Sequence, residues 1–483
     1  MTEQKEKEIR ENSIPIMISY GAYQTFSQWI TGAFGLYVFF FYEVEIGLNV
    51  GIAAIALIIY SIWNAVNDPL IGYLMERIHM PWEKRWGKRF PWVFLGAIPW
   101  LFSYLAIFLV PLDWHPVNDQ WLIFTWFLIT LLLYDTLFTL WNVNATAQYP
   151  DKFKGKSERR LATGIGTLMG MIGIAVGSII PPMFTERGIP ETYRVMAWAG
   201  VGIGMILFFL MLPGTRENPK MRQRYQEYRN IAKDIEREPF FKTAKKALGY
   251  RRFVLKVIYF FGYQGAVALL SASGPYMIAY VLQEPAGTLG VLMAFMLVGA
   301  LVSMPIWTWV GQKVNDNKKM SLVAGLVMIF TFLPIFFVSG FLFYMIALFL
   351  FGIGLGGQWF MDPPTMGDVL DDIAVKSGKR EAAIYYGFQA FFIRLSGSFQ
   401  ALIFAVVHIL TGFPAGVTSY AELEAALGAG SLTLRWAVLG IRIHAALIPA
   451  ILVLITFFIF WKWYDLTPDK VAENKEKLIE LGL

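Results

Sequence analysis

The chain has 483 residues, 56% of them hydrophobic and only 16% charged, with 40 phenylalanines, 17 tryptophans and a formal net charge of +6. That balance lies far from the average of soluble globular domains and excludes an ordinary water-soluble fold. Cysteine is absent and the four histidines are scattered, which excludes disulfides, thiolate metal sites and a zinc-binding pattern.

The N-terminal stretch MTEQKEKEIRENS is charged and has no apolar core followed by a cleavage site, so it does not read as a signal peptide. Behind it, apolar stretches of about the 20 residues needed to span a bilayer recur about twelve times. They fall near 17–42, 49–77, 91–111, 119–149, 161–184, 192–213, 253–283, 287–311, 321–339, 341–366, 382–411 and 434–462. The 321–366 region is the hardest to divide. The loops HMPWEKRWGKR, DKFKGKSERR and GQKVNDNKK, and the long segment 214–252, are rich in Lys and Arg. The intervening EVEIGLN, LDWHPVND, LQEPAG and GFPAGVTSYAELEAALGAG contain neither; TERGIPETYR is the exception. The positive-inside rule puts the basic loops and both termini in the cytoplasm of a multi-pass cell-membrane protein. The positive charge is then topological, holding loops against anionic headgroups, and no nucleic-acid partner is expected.

The long polar segment after the sixth span divides the chain into a six-helix half at 1–213, a central loop at 214–252, a second half at 253–464 and a tail at 465–483. A weak repeat supports the division. Gly72, Leu74, Glu76 and Arg77 follow the second span, and Gly311, Asn315, Asp316, Lys318 and Lys319 follow the eighth. In both, a glycine one turn before an acidic or amide residue lets helices pack closely and lets charge pairs lock their ends. Two parallel halves of this kind define the all-α major facilitator architecture, with a ligand site at the midplane.

Several polar residues lie inside the spans. In NVGIAAIALIIYSIWNAVNDPLIGYLM, Asp68 precedes Pro69 at a depth where a carboxylate costs roughly 2.5–3.5 kcal/mol. Asn64 lies one helical turn earlier on the same face. On the fourth span Asn142 has a matching depth, and Asp135 lies about two turns higher on nearly the same face. Arg394 falls near the centre of the eleventh span, and Asp362 late in the tenth. These residues either line one cavity or serve as paired structural charges and polar contacts between helices. Trp63, Trp141, Trp359, Tyr385 and Tyr386 either stack on a ligand or pack. Gly352, Gly354, Gly356 and Gly357, ahead of Pro363 and Pro364, read as a site of close packing and bending.

The stretches WNAVNDPLIG (63–72), RWGKRFPW (85–92) and GDVLDDIAVKSGKREAAIYYGFQAFFIRLSGSFQ (367–400) resemble the glycoside–pentoside–hexuronide cation symporters, the family of melibiose permease. Span order is compatible along nearly the whole chain. The resemblance implies a secondary active symporter, with the third stretch spanning the loop between the tenth and eleventh helices. It marks Trp359 and Gln389 as sugar-pocket positions, and Arg394 as the place of the family's eleventh-helix lysine. Asp368, Asp371 and Arg380 join Gly72, Glu76, Arg77, Gly311 and Asp316 as candidates for the cytoplasmic lock.

The chain also departs from the family pattern. The first acid of the family's second-helix motif is Asn64 here, leaving Asp68; the fourth-helix acid is Asn142; the first-helix sugar-gripping acid falls on Gln28; and the fifth-helix arginine falls near Gly166. One aspartate among asparagines favours a proton over sodium as coupling ion, since a desolvated carboxylate loads and releases a proton. A sodium ion at Asp68 is the alternative. Tyr385 and Tyr386 complete the substrate candidates, and Asp135 is an added proton site or a salt-bridge partner. Arg394 offers a planar fork suited to carboxylate or phosphate, so the substrate expected is a sugar, glycoside or hexuronide, with a lysolipid or other acidic amphiphile as runner-up. A non-transporting membrane protein is the third reading. No enzymatic constellation, resident metal or cofactor is expected, and the protein reads as a monomer in the bilayer.

Overall fold

The computed structural model describes residues 12–77, 80–153, 156–223, 225, 247–378 and 382–481. Twelve long helices follow one another: α1 Ile14–Phe40, α2 Val50–Arg77, α3 Phe90–Phe108, α4 Gln120–Ala147, α5 Lys156–Ile179, α6 Pro190–Thr215, α7 Arg251–Tyr276, α8 Thr288–Val314, α9 Asn317–Phe337, α10 Phe341–Ser377, α11 Ala382–Thr411 and α12 Leu432–Trp463. A shorter helix, α13, runs over Pro468–Glu480. Eleven of the twelve are long and apolar enough to cross a membrane. The other, α1, has 27 residues, about 40 Å at 1.5 Å per residue. Ser19, Gln24, Thr25, Ser27, Gln28 and Thr31 interrupt its apolar run. Among the described residues there are no strands, as expected where the bilayer cannot satisfy an open sheet edge.

The region that was hardest to divide breaks at Val338–Gly340, where Gly340 takes φ 141°. That conformation suits glycine and stops α9 before α10 begins. The tenth helix is longer than the sequence suggests. It continues through Pro363 and Pro364 to Ser377, so Asp368 and Asp371 lie on a helix and not in a loop. Gly378, at φ 67°, ends it in the left-handed conformation.

Packing divides the chain into two compact units, Met1–Val38 with Ile62–Glu236 and Phe39–Ser61 with Arg237–Leu483. In the first unit α3 packs along α4 and α6, and α5 lies backbone to backbone on α1. A Cβ built on Gly177 would stand 2.6 Å from the Trp29 carbonyl oxygen, and one on Gly173 2.7 Å from that of Thr25. Glu217 accepts the backbone N–H groups of Lys88 (3.0 Å), Arg89 (2.6 Å) and Phe90 (3.2 Å) at the start of α3. Burial pushes its carboxyl up from the usual range, while those three donors pull the other way.

In the second unit α10 packs against α8 and α9, and α7 against α11 and α12. The glycines of α10 make this approach close: a Cβ on Gly352 would lie 1.9 Å from the Met296 carbonyl oxygen, and one on Gly356 2.5 Å from that of Ala300. Close packing expected at Gly72 is not seen, because a Cβ there meets no described atom within 4 Å. At Gly311 it would meet only ordinary contacts, the nearest 3.7 Å away on Phe360. The turn after α8 is instead made by Asn315, left-handed at φ 46°, and by Asp316, whose side chain accepts Lys319 N–H at 3.0 Å and caps α9.

Candidate functional site

In the first unit α2 and α4 bring five polar side chains together. Asn64 and Asn67, nearly one turn apart on α2, each donate an amide hydrogen to Asp135 on α4. The Asn64 bond goes to Oδ1 and the Asn67 bond to Oδ2 at 3.0 Å. Asn67 also reaches Thr139 Oγ1 at 3.2 Å, and the Thr139 hydroxyl donates to Asp68 Oδ1 at 2.6 Å. The spacing explains the register. Asp135 and Thr139 are four apart on α4, and Asn64 and Asp68 four apart on α2, so two rungs meet along the two helices. Asn64, Asn67, Asp135 and Thr139 are buried and Asp68 is half-buried. Next to the network, Trp63 Nε1 donates to Thr136 Oγ1 at 3.0 Å.

The sequence therefore named three members, Asn64, Asp68 and Asp135, and missed Asn67 and Thr139. The repeat N-x-x-N-D, with its second asparagine buried, was the available signal. Asn142 is half-buried one turn beyond Thr139, and among the described residues it makes no side-chain hydrogen bond to the network. Gln28 is half-buried on α1, its Cβ against Gly173. Trp141 is fully buried against Phe26 and Trp100, with ring centroids 5.0 and 5.2 Å apart, which makes it a packing residue.

In the second unit the polar centre is Asp362 on α10. Its carboxylate is ion-paired with Lys256 on α7, accepts the Tyr263 hydroxyl at 3.2 Å, and accepts Gln389 Nε2 of α11 at 3.1 Å. Lys256 was not anticipated. Its side chain is 3% exposed, and it lies inside the seventh span, close behind the basic run that begins α7. Arg394 is half-buried on α11, five residues beyond Gln389, and Trp359 is half-buried on α10. Tyr385 is buried against Tyr250 and Phe253, at centroid distances of 6.1 and 5.1 Å, while Tyr386 is exposed.

Of the lock candidates, Asp368 accepts Asn317 Nδ2 at 2.7 Å and Asp371 is half-buried. The neighbouring Asp372, which the sequence did not single out, holds Arg252 and accepts Lys376 at 2.7 Å. The side chains of Glu76 and Arg77, and Arg380 altogether, lie outside the described residues. Among the described residues no acidic or histidine cluster converges to hold a metal ion.

The described residues form a helical bundle of membrane-spanning length with carboxylates inside its spans. The family model described as "MFS/sugar transport protein" matches residues 19–468, and the chain belongs to that family. It is 24% identical over 430 residues to the sodium-dependent lysophosphatidylcholine symporter 1-A of Danio rerio, covering 80% of this chain and 76% of that protein. It is 22% identical over 451 residues to the glucuronide carrier protein homolog of Escherichia coli (strain K12), covering 91% and 89%. The crystal structure of a bacterial homologue of the human lysosomal transporter Spinster superposes with a TM-score of 0.66 at 11% identity, over 96% of this chain and 99% of that one. That likeness is one of fold. The protein is a multi-pass membrane transporter, not an enzyme.

Proposed function

We propose that this chain is a sodium-coupled symporter that imports a sugar, glycoside or hexuronide-like solute by alternating access, with both termini in the cytoplasm. One observation carries the choice of ion: Asp68 and Asp135 belong to a single hydrogen-bonded network with Asn64, Asn67 and Thr139. From the sequence, Asp68 is the sole acid of its motif, which favours a proton. With Asp135 in the same network there are two carboxylates, two amides and a hydroxyl. Sodium needs such oxygen ligands, and the second negative charge helps offset its dehydration. The sodium dependence carried in the name of the Danio rerio relative supports sodium. Loading a cation neutralises charge that is costly at membrane depth.

The substrate side of the proposal rests on Gln389, Trp359 and Arg394 of the second unit, with a hexuronide's carboxylate meeting the Arg394 guanidinium. A lysolipid is the second reading, supported by the similarity to the lysophosphatidylcholine symporter at 24% identity. The test is uptake into proteoliposomes from a panel of neutral glycosides, uronides and lysophospholipids, driven separately by a sodium and a pH gradient. Accumulation of a glycoside or uronide under the sodium gradient supports the reading. Accumulation under the pH gradient alone transfers coupling to the proton, and lysophospholipid uptake alone selects the second substrate class.

A further inference from the structure

A second set of titratable side chains lies buried in the second unit, Phe39–Ser61 with Arg237–Leu483. Beyond Phe40 the chain makes a wider, π-helical turn at Phe41–Glu45; α7 ends in another at Met277–Leu282; and a third at Ile443–Leu447 interrupts α12. Such turns are rare and concentrate at functional sites. Two of them carry members of one cluster, Glu43 and His444, and the turn at Met277–Leu282 begins directly after Tyr276. Glu43, His408 and His444 are each 0% exposed. His408 Nδ1 meets Glu43 Oε1 at 2.6 Å, His408 Nε2 meets His444 Nε2 at 3.2 Å, and His444 Nδ1 meets Ser273 Oγ at 2.7 Å. Tyr276 donates its hydroxyl to Glu43 Oε2. Ser273 Oγ also lies 2.6 Å from the Leu269 carbonyl oxygen.

Hydrogen-bond directions along this chain are coupled, because each neutral imidazole has one N–H and one lone pair. In one form Ser273 donates to the Leu269 carbonyl and accepts His444 Nδ1–H. The bare Nε2 of His444 then accepts His408 Nε2–H, and one further proton is shared between His408 Nδ1 and Glu43 Oε1. Removing that proton reverses the His408–His444 and His444–Ser273 bonds. The Glu43 carboxylate accepts His408 Nδ1–H, His408 Nε2 accepts His444 Nε2–H, and His444 Nδ1 accepts the Ser273 hydroxyl. Both forms satisfy every polar atom in the line; they differ by one proton and one unit of charge.

We propose that Glu43, His408, His444 and Ser273 form a one-proton relay site in which both histidines change tautomer together. Among the described residues, Tyr276 is bonded to Glu43, Tyr280 beside it donates to the Val417 carbonyl, and Glu45 shares the Phe41–Glu45 turn with Glu43. Arg442, next to His444 along α12, turns its guanidinium to the Phe336 and Val338 carbonyls and Ser339. The site ties the segment beyond α1 to α7, α11 and α12. It lies among the ends that carry the loops without Lys or Arg. Proton occupancy decides whether that junction holds a buried charge, and the junction is therefore pH-sensitive independently of the ion used at Asp68.

The test is nitrogen-15 NMR of the full chain, labelled at histidine and held in lipid nanodiscs, titrated from about pH 4 to about pH 10. With four histidines in the sequence, single replacements assign the signals. The expected result is one common midpoint at which His408 and His444 exchange tautomers. Glu43→Gln abolishes the joint change, and Asp68→Asn leaves it in place. Tyr276→Phe keeps the ring, removes a donor from the carboxylate, and moves the common midpoint to higher pH by about one unit. Separate midpoints, no tautomer change, a joint change that survives Glu43→Gln or disappears in Asp68→Asn, or an unmoved midpoint in Tyr276→Phe would each overturn the proposal. Failure of sodium coupling touches none of these readouts.

Discussion

Thr139 on α4 donates its hydroxyl hydrogen to Asp68 on α2 at 2.6 Å, the contact through which Asp68 joins the network of Asp135. It makes Asp68 and Thr139 separable by mutation. Asp68→Asn removes the charge and is expected to abolish concentrative uptake while the protein still folds and inserts. Thr139→Val keeps the charge and removes one donor and one oxygen, so half-saturation by sodium should rise about tenfold with maximal uptake retained. Proteoliposome uptake against sodium concentration measures both. Undiminished accumulation in Asp68→Asn would remove that residue from coupling.

Lys256 and Asp362 form a buried pair whose side chains are 3% and 17% exposed. Breaking such a pair from one side leaves an uncompensated charge and costs about 3–5 kcal/mol. Lys256→Met should therefore lower the thermal unfolding midpoint strongly, and the double variant Lys256→Met with Asp362→Asn should recover most of the loss. Nanoscale fluorimetry in detergent gives the comparison. A single variant as stable as the parent would show that the pair is not a stability element.

Arg394 tests substrate charge. If its guanidinium meets a substrate carboxylate, Arg394→Gln weakens binding of a uronide far more than of its uncharged parent sugar. Arg394→Lys falls between, because ammonium keeps the charge and loses the fork. Calorimetric titration of both ligands separates this from a purely structural role, in which the two affinities fall together.

Asp465 supplies a pH test outside the spans. Its hydrogen bonds to Arg252 (2.8 Å) and Lys470 (3.0 Å) hold its carboxyl well below the usual carboxylate range. A depressed folded-state pKa contributes stability that is present above the unfolded value of 3.8 and is lost as pH falls through the folded one. Asp465→Asn should unfold at lower temperature than the parent at pH 7, and the gap should close progressively below about pH 4. The side chain is 54% exposed, so the difference should be small and should shrink in high salt. A gap that persists unchanged into acid would assign the effect to packing.

Apolar run length, charge in the loops and the N-D-P element by themselves determined twelve spans, the helical membrane class, the family resemblance and three of the five polar residues joining α2 to α4. These are local or one-dimensional properties: bilayer thickness sets the run length, and a period of 3.6 sets which residues share a face. Tertiary structure decided the rest. It carried α10 past Pro364 to Ser377, because the packing of that long helix against its neighbours outweighs the loop-like polarity of GDVLDDIAVKS. It drew Asn67 and Thr139 between the two aspartates, gave Lys256 to Asp362, and put Trp141 into the core. It also gathered Glu43, His408 and His444, which lie hundreds of positions apart in part and look scattered along the chain. Which polar side chain meets which depends on helix rotation and register between neighbours. A single sequence does not encode that pairing in any short-range pattern, because the contacts form only once the helices are packed.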